Sequence, residues 1–121
     1  MRILRVAVPS PLRTLLDYRP DPAAPLPPAG VRVRVPLGRR ELVGVVLEHG
    51  SGTELDPARL RTVGPALDEA PLLTGELLAL ARWAADYYQH PIGEVVAQML
   101  PVTARRARPA TGRRVAGLEL T

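Results

Sequence analysis

Two kinds of side chain in this sequence have chemistry to offer a partner. The first is a cluster of rings in WAADYYQHPIG, Trp83 to Gly93. The chain has one Trp, three Tyr and no Phe, and Trp83, Tyr87 and Tyr88 fall within six residues of one another. Exposed rings at this spacing can stack on a nucleobase, whereas buried ones lock a small core. The second is arginine. All 16 basic residues are Arg, whose planar fork matches phosphate and carboxylate oxygens. They are not spread evenly. Residues 1–40 carry a balance of +6, residues 41–101 a balance of −6, and residues 102–121 a balance of +4. Such asymmetry points to an anionic partner, although arginines on a solvated strand face would give the same count.

Other chemistries find little support. There is no cysteine, and His49 and His90 stand at unrelated positions, whereas a zinc site needs three or four ligands. Ser10, His49 and an aspartate could be assembled on paper into a hydrolytic triad, but no local signature surrounds them. No GxxxxGK[ST] phosphate loop and no GxGxxG turn is present. No apolar run approaches the ~20 residues that span a bilayer, and the start MRILRVAVPS lacks a signal-peptide core. An intracellular location is the default, and neither an enzyme active site nor a metal site is expected from these residues.

The elements that would position these side chains change period halfway along the chain. RILRVAV (2–8) reads as a strand, RTLLDY (13–18) as a second extended piece, and RPDPAAPLPPAG as a Pro-rich spacer. VRVRV (31–35) alternates strictly, which predicts Val31, Val33 and Val35 inward and Arg32 and Arg34 outward. PLGRR is a turn, ELVGVVLE (41–48) the return strand, and ARLRTV (58–63) a short strand or turn that re-enters the sheet. The expected class is α+β: a small antiparallel, barrel-like (OB-like) unit over 1–63, then two C-terminal helices within 71–101. The first, 74–90, is capped by Thr74, with Leu77, Leu80, Ala81, Ala84 and Tyr88 as its apolar stripe and Tyr87 at the edge. Pro91 stops it, and IGEVVAQML (92–100) forms the second. In a chain without Phe, Trp83, Tyr87 and Tyr88 are expected to pack the helices onto the β unit. Residues 102–121 read as a basic linker or the start of another domain.

The ordered set VPSPLRTLLDY, GVRVRVPLGRRELVGVV and WAADYYQHPIGEVVAQMLP, within residues 3 to about 101, resembles the N-terminal domain of the primosomal protein N′ (PriA) family of bacterial replication-restart helicases. The resemblance implies a module that grips the 3′ end of a nascent strand at an abandoned fork and positions the helicase for primosome assembly. It implies DNA as the partner, with other primosome proteins and single-stranded DNA-binding protein reached through the parent chain. It also implies a cytoplasmic, nucleoid-associated bacterial protein. The ATP-using core and the zinc-binding cysteines of the family lie further along its chain, so no cofactor is expected here.

Carried over by motif, the family's terminus pocket falls on Leu16 and Asp17 of LLDY, Gly38 of PLGR and Arg61 of LRTV. Leu16 stands where the family often has an aromatic, and Arg61 where lysine is common. Asp17 can accept the hydrogen of a terminal hydroxyl and would repel a terminal phosphate. Gly38 allows close backbone approach, and Arg61, Arg39 and Arg40 are candidates for flanking phosphates. Asp17 could instead be a turn or capping carboxylate, and Gly38 a plain hairpin glycine. Two other functions compete: protein docking through the Pro-rich loop 20–28 or the acidic half, and general single-strand binding on an aromatic platform without preference for ends.

Overall fold

The VRVRV alternation becomes one arm of a hairpin. In the computed structural model, which describes residues 2–9, 15–51 and 60–100, β3 (Arg32–Leu37) pairs antiparallel with β4 (Arg40–Gly50). Leu37 faces Arg40, so Gly38 and Arg39 form a two-residue turn. Gly38 has φ 62°, as the first position of a tight hairpin turn requires. β1 (Ile3–Ala7) lies on the other side of β4, and β2 (Leu16–Tyr18) pairs antiparallel with β1, giving the order β2-β1-β4-β3. Leu47 is an extra residue on β4: Arg5 faces Glu48 and Val6 faces Val46. This bulge lets Leu47 and Val45 share the helix-facing core.

Strand pairing alone does not close the sheet. Residues 60–68 span the gap between its edges instead. Arg19 N–H donates to Arg61 O (2.9 Å) and Val63 N–H to Arg19 O (2.8 Å), beside β2. Gly64 N–H donates to Arg34 O (2.7 Å) and Leu67 N–H to Arg32 O (2.9 Å), beside β3. The expected re-entry of ARLRTV is thus an isolated parallel bridge, Arg19 with Thr62, rather than a strand. Residues 58 and 59 of that stretch, Ser10, and the basic stretch 102–121 lie outside the described residues.

Inside this curled sheet, Val31, Val33 and Val35 are fully buried with Leu4, Val6 and Val46, each worth about 1.5–3 kcal/mol on burial. The inward half of the alternation is as expected; the outward half needs correcting at Arg32. Its side chain is 1 % exposed and forks onto Asp68, Nη2 to Oδ1 at 2.7 Å and Nε to Oδ2 at 3.1 Å. Its backbone N–H also donates to Asp68 Oδ2 (3.0 Å). The strand does turn Arg32 away from the valines. Residues 60–68 then cover that face and supply the counter-ion.

Thr74 caps α1 (Gly75–Tyr88) through Leu77 N–H to Thr74 Oγ1 (3.2 Å), and the helix ends at Gln89 in the left-handed region, φ 57°. Pro91 is the N-cap of α2 (Ile92–Met99). The buried face of α1 is Leu78, Ala81 and Ala85. This corrects the expected stripe, of which Ala81 belongs to the buried set while Leu77, Leu80 and Tyr88 are exposed. The expected structural role of Trp83, Tyr87 and Tyr88 falls with it: they are 56 %, 66 % and 59 % exposed. Ala81 and Ala85 turn into the core that α1 shares with α2, Val45 and Leu47, and the larger rings lie outside it. The rings pack on each other, Trp83 stacked on Tyr87 (5.0 Å between centroids) and Tyr88 edge-on to Tyr87 (4.9 Å).

Candidate nucleic-acid interface

The hairpin turn carries Gly38, Arg39 and Arg40, all exposed. Among the described residues, none beyond its chain neighbours has an atom within 4 Å of where a β-carbon on Gly38 would stand, which leaves room for a ligand to approach the backbone. Its carbonyl accepts a hydrogen bond from Arg61 Nη1 at 2.7 Å. Two of the four expected pocket positions, 23 residues apart, are therefore in contact. The same bond fixes Arg61 at the turn, where its remaining N–H donors can reach an anion.

Tyr18 ties this turn to β2. Its hydroxyl donates to Pro36 O at 2.7 Å, and its ring is buried in the inner core. Burial raises the Tyr18 pKa above its ordinary 10.0, and the nearby Arg61 charge opposes that rise. Because the folded state holds the Tyr18 proton more tightly, this contribution is intact below pH 10 and is lost as pH climbs through the raised value. Tyr18→Phe should cost about 0.5–1.5 kcal/mol in urea unfolding at neutral pH. The same variant should also lack the alkaline loss attributable to this hydroxyl.

Leu16 and Asp17 precede Tyr18 on β2, and alternation sends them to opposite faces. Leu16 is partly buried against the inner core, with Tyr18. Asp17 faces the helix side, where Arg5 lies directly across the ladder, Nε to Oδ1 at 3.6 Å. The side chains of Leu16 and Asp17 are therefore not gathered on one surface. What gathers at this end of the molecule is backbone: the β2 edge, the Arg19–Thr62 bridge just beyond it, and the Gly38–Arg61 contact.

Sequence reasoning missed Arg5, Glu48 and Tyr18. Arg5 Nη1 also donates to Glu48 Oε2 (3.2 Å), and Glu48 takes a second cation, Arg82 of α1. The signal for Arg5 was available, since it is a lone charge between Leu4 and Val6 in an apolar strand. Its partners depend on register and were not. Arg34, at 3.9 Å from Glu41, matches the expected outward face of β3.

The family model described as 3′DNA-binding domain (3′BD) matches residues 5–101. Among curated proteins, the chain is 36 % identical over 110 residues to the Replication restart protein PriA of Haemophilus influenzae, covering 91 % of this chain and 15 % of that protein. It is 28 % identical over 102 residues to the protein of the same name from Buchnera aphidicola subsp. Schizaphis graminum, covering 84 % of this chain and 14 % of the relative. With the Bacillus subtilis protein of that name it shares 35 % identity over 71 residues, 58 % of this chain and 9 % of the relative. The chain thus spans at most about a seventh of the length of these relatives.

Proposed function

This chain belongs to the 3′DNA-binding domain family, and on that premise we propose that it recognises the 3′-hydroxyl end of a nascent strand at stalled or abandoned replication forks. In a longer chain like those of its relatives it would position a replication-restart helicase for primosome assembly. Other primosome proteins and a single-stranded DNA-binding protein are the further partners proposed for that longer chain, in the bacterial cytoplasm at the nucleoid. ATP and zinc would act elsewhere along it.

The observation that carries the reading is the Arg61–Gly38 hydrogen bond at an exposed turn beside the edge of β2. It makes a small site of open backbone and fixed cation next to the strand that bears Asp17. Arg39 and Arg40 extend the positive charge outward for one or two phosphates. Asp17 supplies the discrimination: a carboxylate accepts from a terminal hydroxyl and repels a terminal phosphate. Contacts to sugar and hydroxyl carry no base information, so the module would read the end and not the sequence. With few phosphates touched, affinity should fall only modestly with salt.

A second reading has one specific observation in its favour. The exposed Trp83–Tyr87 stack is a surface on which bases of any strand could lie, with no need for an end. Against it, the charged residues of α1 are Glu76, Asp86 and Arg82, and Arg82 is engaged by Glu48. Anisotropy titrations of a labelled linear strand with Asp17→Ala and Trp83→Ala separate the two. The first reading expects a clear loss for Asp17→Ala and none for Trp83→Ala. The second expects the reverse, with Trp83→Ala costing about 1–3 kcal/mol.

A further inference from the structure

Helix α1 is apolar on two sides. Its inner side, Leu78, Ala81 and Ala85, faces the core. On the outer side Glu76, Leu80, Trp83 and Tyr87 recur at intervals of four, three and four residues, and so share one face. Leu80, Trp83 and Tyr87 are each more than half exposed. The Trp83 and Tyr87 rings are nearly parallel, 13° apart, so the outer side ends in a stacked ring surface.

The charge around this stripe says what kind of group suits it. Glu76 lies in line with the stripe, and Asp86 stands three residues from Trp83, beside it on the helix. Arg82 is the only basic residue within α1, and it is held by Glu48. The stripe is therefore leucine and rings bordered by two carboxylates. A second copy of the chain laid on it would bring the same two acids against these, and a nucleic-acid strand would bring phosphates; both juxtapose like charges. A guanidinium suits both parts at once. Its plane lies on an indole or phenol ring, and its N–H donors reach a carboxylate.

The chain carries such groups close by. Leu100, the last described residue, is buried in one core with Leu78 and Ala81, under the first half of α1. Arg105, Arg106 and Arg108 follow five to eight residues later, in a segment, 102–121, with five arginines against Glu119. Five to eight residues of extended chain reach roughly 17–28 Å. The 14 residues of α1 measure about 21 Å, so these arginines are within range of the whole stripe. Tethering also keeps their local concentration on the order of millimolar, far above that of a free partner in dilute solution. We propose that the outer stripe of α1, Leu80, Trp83 and Tyr87, is the docking surface for the arginine segment 105–108 of the same chain, held by guanidinium–ring stacking and by Glu76 and Asp86. The proposal is independent of how a 3′ end is read. It makes the ring cluster a clasp between the domain and the chain that follows it, not a platform for bases.

Trp83 is the only Trp in the sequence, so the fluorescence of the whole chain reports this one surface. Acrylamide quenching is measured on the wild type, on the Arg105→Gln/Arg106→Gln/Arg108→Gln triple variant, on Glu76→Gln/Asp86→Asn and on the two sets combined. An exposed cation–π contact biases an equilibrium about two- to fivefold, so the triple variant should quench about twice as readily as the wild type. Glu76→Gln/Asp86→Asn should go part of the way, and should add little to the triple variant. Raising the salt to about 1 M, where charges are screened within ~3 Å, should also move the wild type part of the way and needs no variant at all. Arg113→Gln/Arg114→Gln is the control and should quench like the wild type. Quenching of the triple variant equal to that of the wild type would overturn the proposal, and so would equal effects from the triple variant and the control. Shielding of Trp83 that grows with protein concentration and survives loss of the arginines would assign the stripe to a second copy instead. Shielding that arises only on addition of a single strand would assign it to DNA, and the proposal would fail there too.

Discussion

Asp68→Ala is expected to destabilise the chain by about 3–5 kcal/mol in urea unfolding, the cost of breaking a buried ion pair on one side. The Arg32 and Asp68 side chains are 1 % and 2 % exposed. Asp68 accepts from Arg32 Nε, from Nη2 and from the Arg32 backbone N–H, at 2.7–3.3 Å. Its removal takes away the carboxylate that three buried donors of Arg32, Nε, Nη2 and the backbone N–H, share. For a domain whose whole stability is on the order of 5–15 kcal/mol, that is a large share. Replacing both partners with leucine should recover much of the loss, because the desolvation of two charges disappears with them. The pair also has a consequence for the site. Asp68 anchors the far end of the segment that carries Arg61, so partial loss of this anchor should loosen the Gly38–Arg61 contact before the sheet melts. A change below about 1 kcal/mol for Asp68→Ala would place the pair among weak surface bridges and contradict the burial argument.

Gly93→Ala should be nearly as damaging, about 3 kcal/mol or more, at the upper end of overpacking. The first turn of α2 lies directly on the end of β1. A β-carbon on Gly93 would stand 1.6 Å from Val8 O and 2.3 Å from Val8 C. These are backbone atoms, which no rotamer change can move aside. The gain of about 1 kcal/mol in helix propensity from glycine to alanine is too small to offset the clash. A fall of roughly 12 °C or more in Tm is expected for a domain of this size. Gly75→Ala is the control, because among the described residues nothing outside its own turn and neighbours lies within 4 Å of a β-carbon there. It should be neutral or slightly stabilising. If both variants melted alike, the close approach of α2 to β1 would be wrong.

These two positions also mark where sequence reasoning stopped. Val31, Val33 and Val35 could be placed inside because period-two alternation is a local signal. Arg32 could not be placed, because its environment is made by a carboxylate 36 residues away. The motif containing Pro91, Ile92 and Gly93 could be recognised, but the need for glycine there comes from Val8, at the far end of the chain. The α1 capping residue, Thr74, was readable from its own turn. The apolar stripe was misread because a helical wheel favours large side chains. This helix turns Leu78, Ala81 and Ala85 inward and leaves Leu80, Trp83 and Tyr87 outside.

The candidate site shows the same division. Gly38 was legible as a turn, since a two-residue hairpin requires a positive φ that glycine supplies. That Arg61 reaches its carbonyl depends on how residues 60–68 return to the sheet, which no local pattern encodes. Asp17 came from the motif resemblance, as one of two acids among eight arginines in residues 1–40. The discovery that it faces away from Leu16 and pairs with Arg5 required the β1–β2 register. Charge counting put the basic character in the first forty residues. Among the described residues, at least three of those arginines, Arg5, Arg32 and Arg34, pair with carboxylates.

The measurement that bears most directly on the proposed function is a competition among three single strands of equal length and composition: linear with a 3′-hydroxyl, linear with a 3′-phosphate, and circular. Each displaces a labelled hydroxyl-ended strand from the protein at fixed salt. End recognition through Asp17 predicts that the hydroxyl-ended strand competes best, while the phosphate-ended and circular strands are both markedly weaker. Equal competition by all three would contradict it, and would move the DNA-binding surface to the exposed Trp83–Tyr87 stack.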